Sequence, residues 1–152
     1  MGFPPVYDKD SKLLILGSFP SVKSREISFY YGNKQNRFWG MVCGFFSEEI
    51  PETTEGKKAF LLRRKIALWD IATECEIVGS SDSFLKNAVI ADLSKILSTA
   101  KISKILLNGA LAYKLFCQKY EGLAIPYVKM PSTSPANPRF DKSVWWRELN
   151  DL

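Results

Sequence analysis

Lys12-Leu-Leu-Ile-Leu-Gly-Ser18 is the stretch on which the fold turns. Its apolar residues run on without alternating with polar ones, so a strand made from them has no face for water and must be covered on both sides. The run ends in Gly17, Ser18 and, after Phe19, Pro20, which forces the chain to turn there. Three other segments have the same form: Lys65-Ile-Ala-Leu-Trp-Asp70, Ser103-Lys-Ile-Leu-Leu-Asn-Gly109 and Ile125-Pro-Tyr-Val-Lys-Met130. In an open parallel sheet, binding groups gather outside the carboxyl ends of the strands. The small and polar residues that close these runs therefore mark one edge as the place to look for a site.

Helical periodicity fills the intervals, over Gln35 to Phe46, Thr54 to Arg63, Ile90 to Ser98 and Ala110 to Lys119. A last helix, to Leu152, carries Val144, Trp145 and Leu149 behind Asp141 as its cap. Strands alternating with helices predict an α/β fold in three layers. Glu48 to Thr54 and Cys75 to Ser83 read as irregular. No repeat or linker divides the chain, and one domain over residues 1–152 is expected.

Composition narrows the chemistry. The chain contains no histidine, which removes the usual zinc ligand, the usual general base and every Ser-His or Cys-His dyad. Cys43, Cys75 and Cys117 form no CxxC pair and read as reduced, buried thiols. No metal and no cofactor are expected, and the work falls to Asn, Asp, Glu, Ser, Tyr or water. The run Leu13 to Leu16 follows Asp8, Lys9, Asp10 and Lys12, and no apolar stretch approaches the ~18 residues of a membrane span. A cytoplasmic protein, acting as a monomer, is the expectation. Twenty-one basic against 16 acidic residues give +5, which suits a polyanionic partner but equally a mildly basic surface.

Two segments concentrate unusual residues. Beyond Gly17-Ser-Phe-Pro-Ser21 comes Ser28-Phe-Tyr-Tyr-Gly-Asn-Lys-Gln-Asn-Arg-Phe-Trp39, rich in aromatics and amides. Such a mixture can stack a planar heterocycle and read its edge. Phe29, Phe38 and Trp39 also fit a plain core, whereas Tyr30, Tyr31 and Asn36 carry polar groups that need partners when buried. The second segment, Met130-Pro-Ser-Thr-Ser-Pro-Ala-Asn-Pro-Arg139, combines hydroxyls with rigid prolines and reads either as a phosphate grip or as a plain turn before the last helix.

Together these segments resemble the uracil-DNA-glycosylase superfamily, specifically its hypoxanthine-DNA glycosylase branch. The resemblance rests on Gly17 to Ser21, on Tyr30-Tyr31 with Asn36-Arg-Phe-Trp39, on Leu107-Asn-Gly109 with Ala112 and Phe116, and on Ser132-Thr-Ser-Pro-Ala-Asn137. It implies an α/β/α sandwich around a four-stranded parallel sheet, with a deaminated base flipped out of DNA and cut from its sugar at the strands' carboxyl ends. It also implies Asn36 as the residue that orients water at C1′ and Asn108 as the one that hydrogen-bonds the base edge. Gly17, Ser18, Phe19, Tyr30, Tyr31 and Asp70 would line the base pocket, with Tyr30 or Phe19 stacked on the ring. Asp70 would accept a hydrogen bond from the base or hold a neighbouring amide, although an acid at that position also reads as a helix cap. Ser21, Lys34, Ser132, Thr133 and Ser134 would hold the DNA backbone, and Pro135 to Arg139, with Asn137 among them, would fill the gap left by the base.

The sequence departs from the superfamily at three places. Phe19 stands where an Asp or Asn usually precedes the proline, Asn33-Lys34 replaces a frequent His-Pro, and Ser132-Thr133-Ser134 occupies a place where histidine is common. With Lys34 the only lysine in the motifs, a monofunctional enzyme that leaves an abasic site is expected. A glycosylase for uracil or mismatched bases, and a DNA-binding module that has lost activity, are the alternatives.

Overall fold

Leu13–Gly17 forms strand β1, buried along its whole length. Because successive side chains of a strand point to opposite faces, Leu13 and Ile15 enter one core, while Leu14 and Leu16 enter a second on the other side. The first core takes Phe38, Trp39 and Val42 from helix α1 (Phe38–Phe45), Phe60 and Leu61 from α2 (Thr54–Arg63), and Trp145 and Leu149 from α5 (Lys142–Asn150). The second takes Ile96 from α3 (Ser94–Thr99) and Ala112, Leu115 and Phe116 from α4 (Ala110–Tyr120). The computed structural model describes residues 3–19, 29–77 and 85–152.

Strand β2 (Ile66–Asp70) pairs parallel with β1, which sets Asp70 opposite Gly17. On the other side of β1 lies β5 (Lys104–Asn108), followed by β6 (Tyr127–Met130), both parallel. The order β2-β1-β5-β6, with helices on both faces, is the α/β/α sandwich and four-stranded parallel sheet that were expected. Gly17, Asp70, Asn108 and Met130 thus close four neighbouring strands on one edge.

One region differs from the sequence reading. Ala72–Ile77 (β3) and Leu85–Ile90 (β4) form an antiparallel pair, so the first part of the segment read as irregular is strand, and residues 78–84 lie outside the described part. The helix expected from Ile90 begins only at Ser94. Ile90 is taken up by pairing with Ala72, the Ala91 amide donates to the Ile71 carbonyl at 2.7 Å, and the Asp92 carboxylate accepts from the Ser94 amide. Ile90, Leu93 and Leu97 keep a helical spacing in sequence, but only the later residues use it.

The caps behave as their chemistry predicts. Thr53 accepts the Gly56 amide at the start of α2, and Asp141 accepts the Ser143 amide at the start of α5. Cys43 is buried and Cys117 half-buried, both free thiols, and the side chain of Cys75 lies outside the described part. Among the described residues no helix is long and apolar enough to cross a membrane.

Candidate active site

The carboxyl edge of the sheet is built around an absent side chain. A Cβ on Gly17 would lie 2.5 Å from Asp70 Oδ1 and 2.7 Å from the Tyr31 hydroxyl. Both polar groups therefore close over the α-carbon of Gly17, and only glycine leaves room for them. Tyr31 reaches this point from the loop after β1, with a left-handed backbone (φ 54°) that is costly for an aromatic residue. Its ring is held by stacking on Phe38, with centroids 4.3 Å apart.

Asp70 is the outlier of the described polar groups. It is 5% exposed and makes no ion pair, and its Oδ2 has no hydrogen-bond partner among the described residues. It is not a helix cap, because the chain passes from β2 straight into β3, with the Ile71 amide bound to the Gly17 carbonyl. Burial without a compensating cation penalises the charged form and lifts the carboxyl from its ordinary 3.8 to about 7. Burial and the nearby Asp70 likewise push the Tyr30 and Tyr31 phenols far above their ordinary range, with the Asn108 hydrogen bond opposing this at Tyr31. Both phenols stay neutral.

Asn108, at the end of β5, is fully engaged within the protein. Its Nδ2 donates to the Tyr31 hydroxyl at 3.1 Å and to Thr133 Oγ1 at 3.0 Å, while its Oδ1 accepts the Thr133 amide at 3.0 Å. Its carboxamide thus ties the loop after β1 to the loop after β6, and no N–H remains for a base edge. Thr133 is correspondingly buried, so its hydroxyl is not presented to a DNA backbone. Gly109 follows with φ 100°, where a Cβ would come 3.1 Å from that of Ser132.

Asn36 sits two residues before the start of α1. Its Oδ1 accepts the Phe38 amide at 2.9 Å, which fixes the carboxamide plane, and its Nδ2 has no partner among the described residues. The next residue clamps the second loop. The Arg37 amide donates to the Thr133 carbonyl, and its guanidinium donates to the carbonyls of Ser134 and Asn137, both at 2.6 Å, while lying over Phe140. Asn137 braces the same loop from inside, donating to the Ser132 carbonyl and accepting the Arg139 amide.

The structure thus gathers Gly17, Tyr31, Asp70, Asn108 and Thr133, and Arg37 brings Asn36 alongside Ser134 and Asn137. Tyr30 does not join them as a stacking platform. It is 2% exposed, and its hydroxyl donates to the carbonyls of Phe3 and Pro4, so its ring is a core wall. Phe19 is half-buried against the core of Leu14, Leu16 and Leu107, and the Ser18 carbonyl accepts the Ala72 amide. Ser132 and Ser134 are half-buried, their hydroxyls accepting the Ser134 and Ala136 amides. Lys34, Pro135 and Arg139 are exposed, and Ser21 lies outside the described residues.

Sequence reasoning gave no role to Arg37, whose loop partners lie 97 and 100 residues away, nor to the amino-terminal segment. Trp69 Nε1 and the Tyr30 hydroxyl both bind the Phe3 carbonyl, and Val6 bridges to Leu68. This seats Phe3 and Pro4 beside β2 and leaves a cleft of about 370 Å³, which Asp70 lines together with Trp69, Ala72 and Thr73. Its size is that of a small-molecule pocket.

An open parallel sheet thus brings amides and a buried acid together on its carboxyl edge. Comparison with known proteins places the chain more closely. The uracil DNA glycosylase superfamily matches residues 4–150. A protein named hypoxanthine DNA glycosylase from Methanosarcina acetivorans is 35% identical over 93% of this chain and 90% of its own length. Another of that name, from Methanosarcina barkeri, is 33% identical over 71% of this chain and 70% of its own. The NMR solution structure of a Methanosarcina acetivorans protein proposed to be a uracil DNA glycosylase superposes with a TM-score of 0.84 at 34% identity, covering 98% of this chain and 97% of that one. The chain belongs to the uracil DNA glycosylase superfamily. Its reaction class is that of a DNA glycosylase, hydrolysis of the bond joining a base to its deoxyribose.

Proposed function

We propose that the chain removes hypoxanthine from DNA as a monofunctional glycosylase and leaves an abasic site. The observation that carries this reading is the similarity, over 93% of the chain in one case and 71% in the other, to two relatives named for hypoxanthine, joined to a strand-end site made of amides and one buried acid. Bond cleavage builds positive charge on the sugar and negative charge on the departing base, so dipoles already aimed at those positions lower the barrier without a strong nucleophile. Asn36, its carboxamide fixed by the Phe38 amide, orients the attacking water at C1′. Asn108 acts through Tyr31 and Thr133, holding the two loops in register. Lys34 and Arg139 neutralise phosphates, and Pro135 occupies the space the flipped nucleotide leaves. Flipping costs a few kcal/mol, least where pairing is already weak, which favours a deaminated base over its normal counterpart.

The test is release of base from duplexes carrying one hypoxanthine, uracil or xanthine, followed by alkali to break the abasic strand. Hypoxanthine should be released fastest, and Asn36→Ala should lower that rate by about 100-fold or more with little change in binding. Faster release of uracil, or full activity in the Asn36 variant, refutes the proposal.

A further inference from the structure

Asn36 accounts for the water, but nothing among the amides gives the departing base a proton. Histidine is absent from the chain, Asn108 has no free N–H, the Tyr30 hydroxyl donates to the Phe3 and Pro4 carbonyls, and the Tyr31 phenol, which accepts from Asn108, is pushed by burial far above its ordinary range and is too weak an acid. One acidic group at the carboxyl edge is uncommitted. Asp70 is 5% exposed, its Oδ2 is unpartnered among the described residues, and it lines the cleft beside Trp69. An orphaned buried carboxyl is costly to the fold, and a catalytic role accounts for keeping it.

We infer that Asp70 is the general acid of the reaction, donating its proton to the departing base as the C1′–N bond breaks. The inference rests on the glycosylase reading above. The bonding pair of the C1′–N bond leaves with the base, and the Asp70 carboxyl hydrogen passes to a ring nitrogen, so a neutral base departs. Water adds through its oxygen to C1′, its surplus proton goes to solvent, and the Asp70 carboxylate is then reprotonated from solvent.

The surroundings keep the acid protonated near neutral pH. Among the described residues, the titratable groups around it are Tyr30 and Tyr31, both neutral, and the exposed Glu74 on the same cleft, and no cation pairs with it. Burial alone moves the carboxyl to about 7. A proton held at that value is well matched to transfer at physiological pH.

The experiment is a single-turnover pH profile on a deoxyinosine duplex for the wild type and Asp70→Asn, with carbon-13 NMR titration of the aspartate carboxyls. The wild-type rate should be level below about pH 7 and fall about tenfold per pH unit above it. Asp70→Asn should be at least ~100-fold slower near pH 6 and show no such fall, while binding a non-cleavable duplex as well as the wild type does. A variant that keeps the wild-type rate or pH profile overturns the acid role. So does an Asp70 carboxyl that titrates in the ordinary carboxylate range, whatever the activity and even where the variant does not fold. Wild-type release of uracil but not hypoxanthine would instead refute the substrate assignment, and the same pH comparison on uracil would then decide the role of Asp70.

Discussion

Asp70 makes the stability of this protein depend on pH in a direction opposite to most carboxylates. In the unfolded chain it titrates at 3.8 and in the folded protein at about 7. Below the lower value both states hold the proton and the group contributes nothing. Between the two the unfolded chain gives up its proton first, so stability falls as pH rises, and above about 7 the loss is complete. At 1.36 kcal/mol per pH unit the interval amounts to at most ~4 kcal/mol, a large share of a domain's ~5–15 kcal/mol. Asp70→Asn removes the titration while keeping the shape. Urea denaturation of both proteins should show stabilities within ~1 kcal/mol of each other near pH 4, with the variant ahead by about 2–4 kcal/mol near pH 8.5. A difference that stays constant across that range would refute the assignment of a buried, uncompensated acid.

Three further substitutions test the frame around it. Asn108→Ala removes three hydrogen bonds and strands the buried Thr133 amide, so a loss of roughly 2–4 kcal/mol is expected in denaturant unfolding; an unchanged midpoint would contradict its bracing role. Gly17→Ala drives a methyl into Asp70 Oδ1 and the Tyr31 hydroxyl and should cost ~1–3 kcal/mol, part of which Tyr31→Phe should restore. Equal losses in the single and double variants would show that the clash is not with Tyr31.

The centre of the sheet was legible because β1 and β5 are buried on both faces. Leu13 to Leu16 and Ile105 to Leu107 are unbroken apolar runs, and the caps Thr53 and Asp141 are local signals that need nothing from the rest of the chain. The β3–β4 pair was not, since the half-polar Ala72–Ile77 satisfies its backbone through a partner found only in space, and Ile90 has the spacing of the helix it does not join. At the site, the sequence alone determined which residue types stand at the strand ends: Gly17, Asp70 and Asn108, with Asn36 ahead of the first helix. Their division of labour was decided by the tertiary structure. Asn108 looks like a ligand-reading amide until Tyr31 and Thr133, 77 and 25 residues away, claim its hydrogens. Asp70 looks like a cap until no partner is found for it. Residue type is written locally, but whether a polar group is spent or free depends on what folding brings within hydrogen-bond reach.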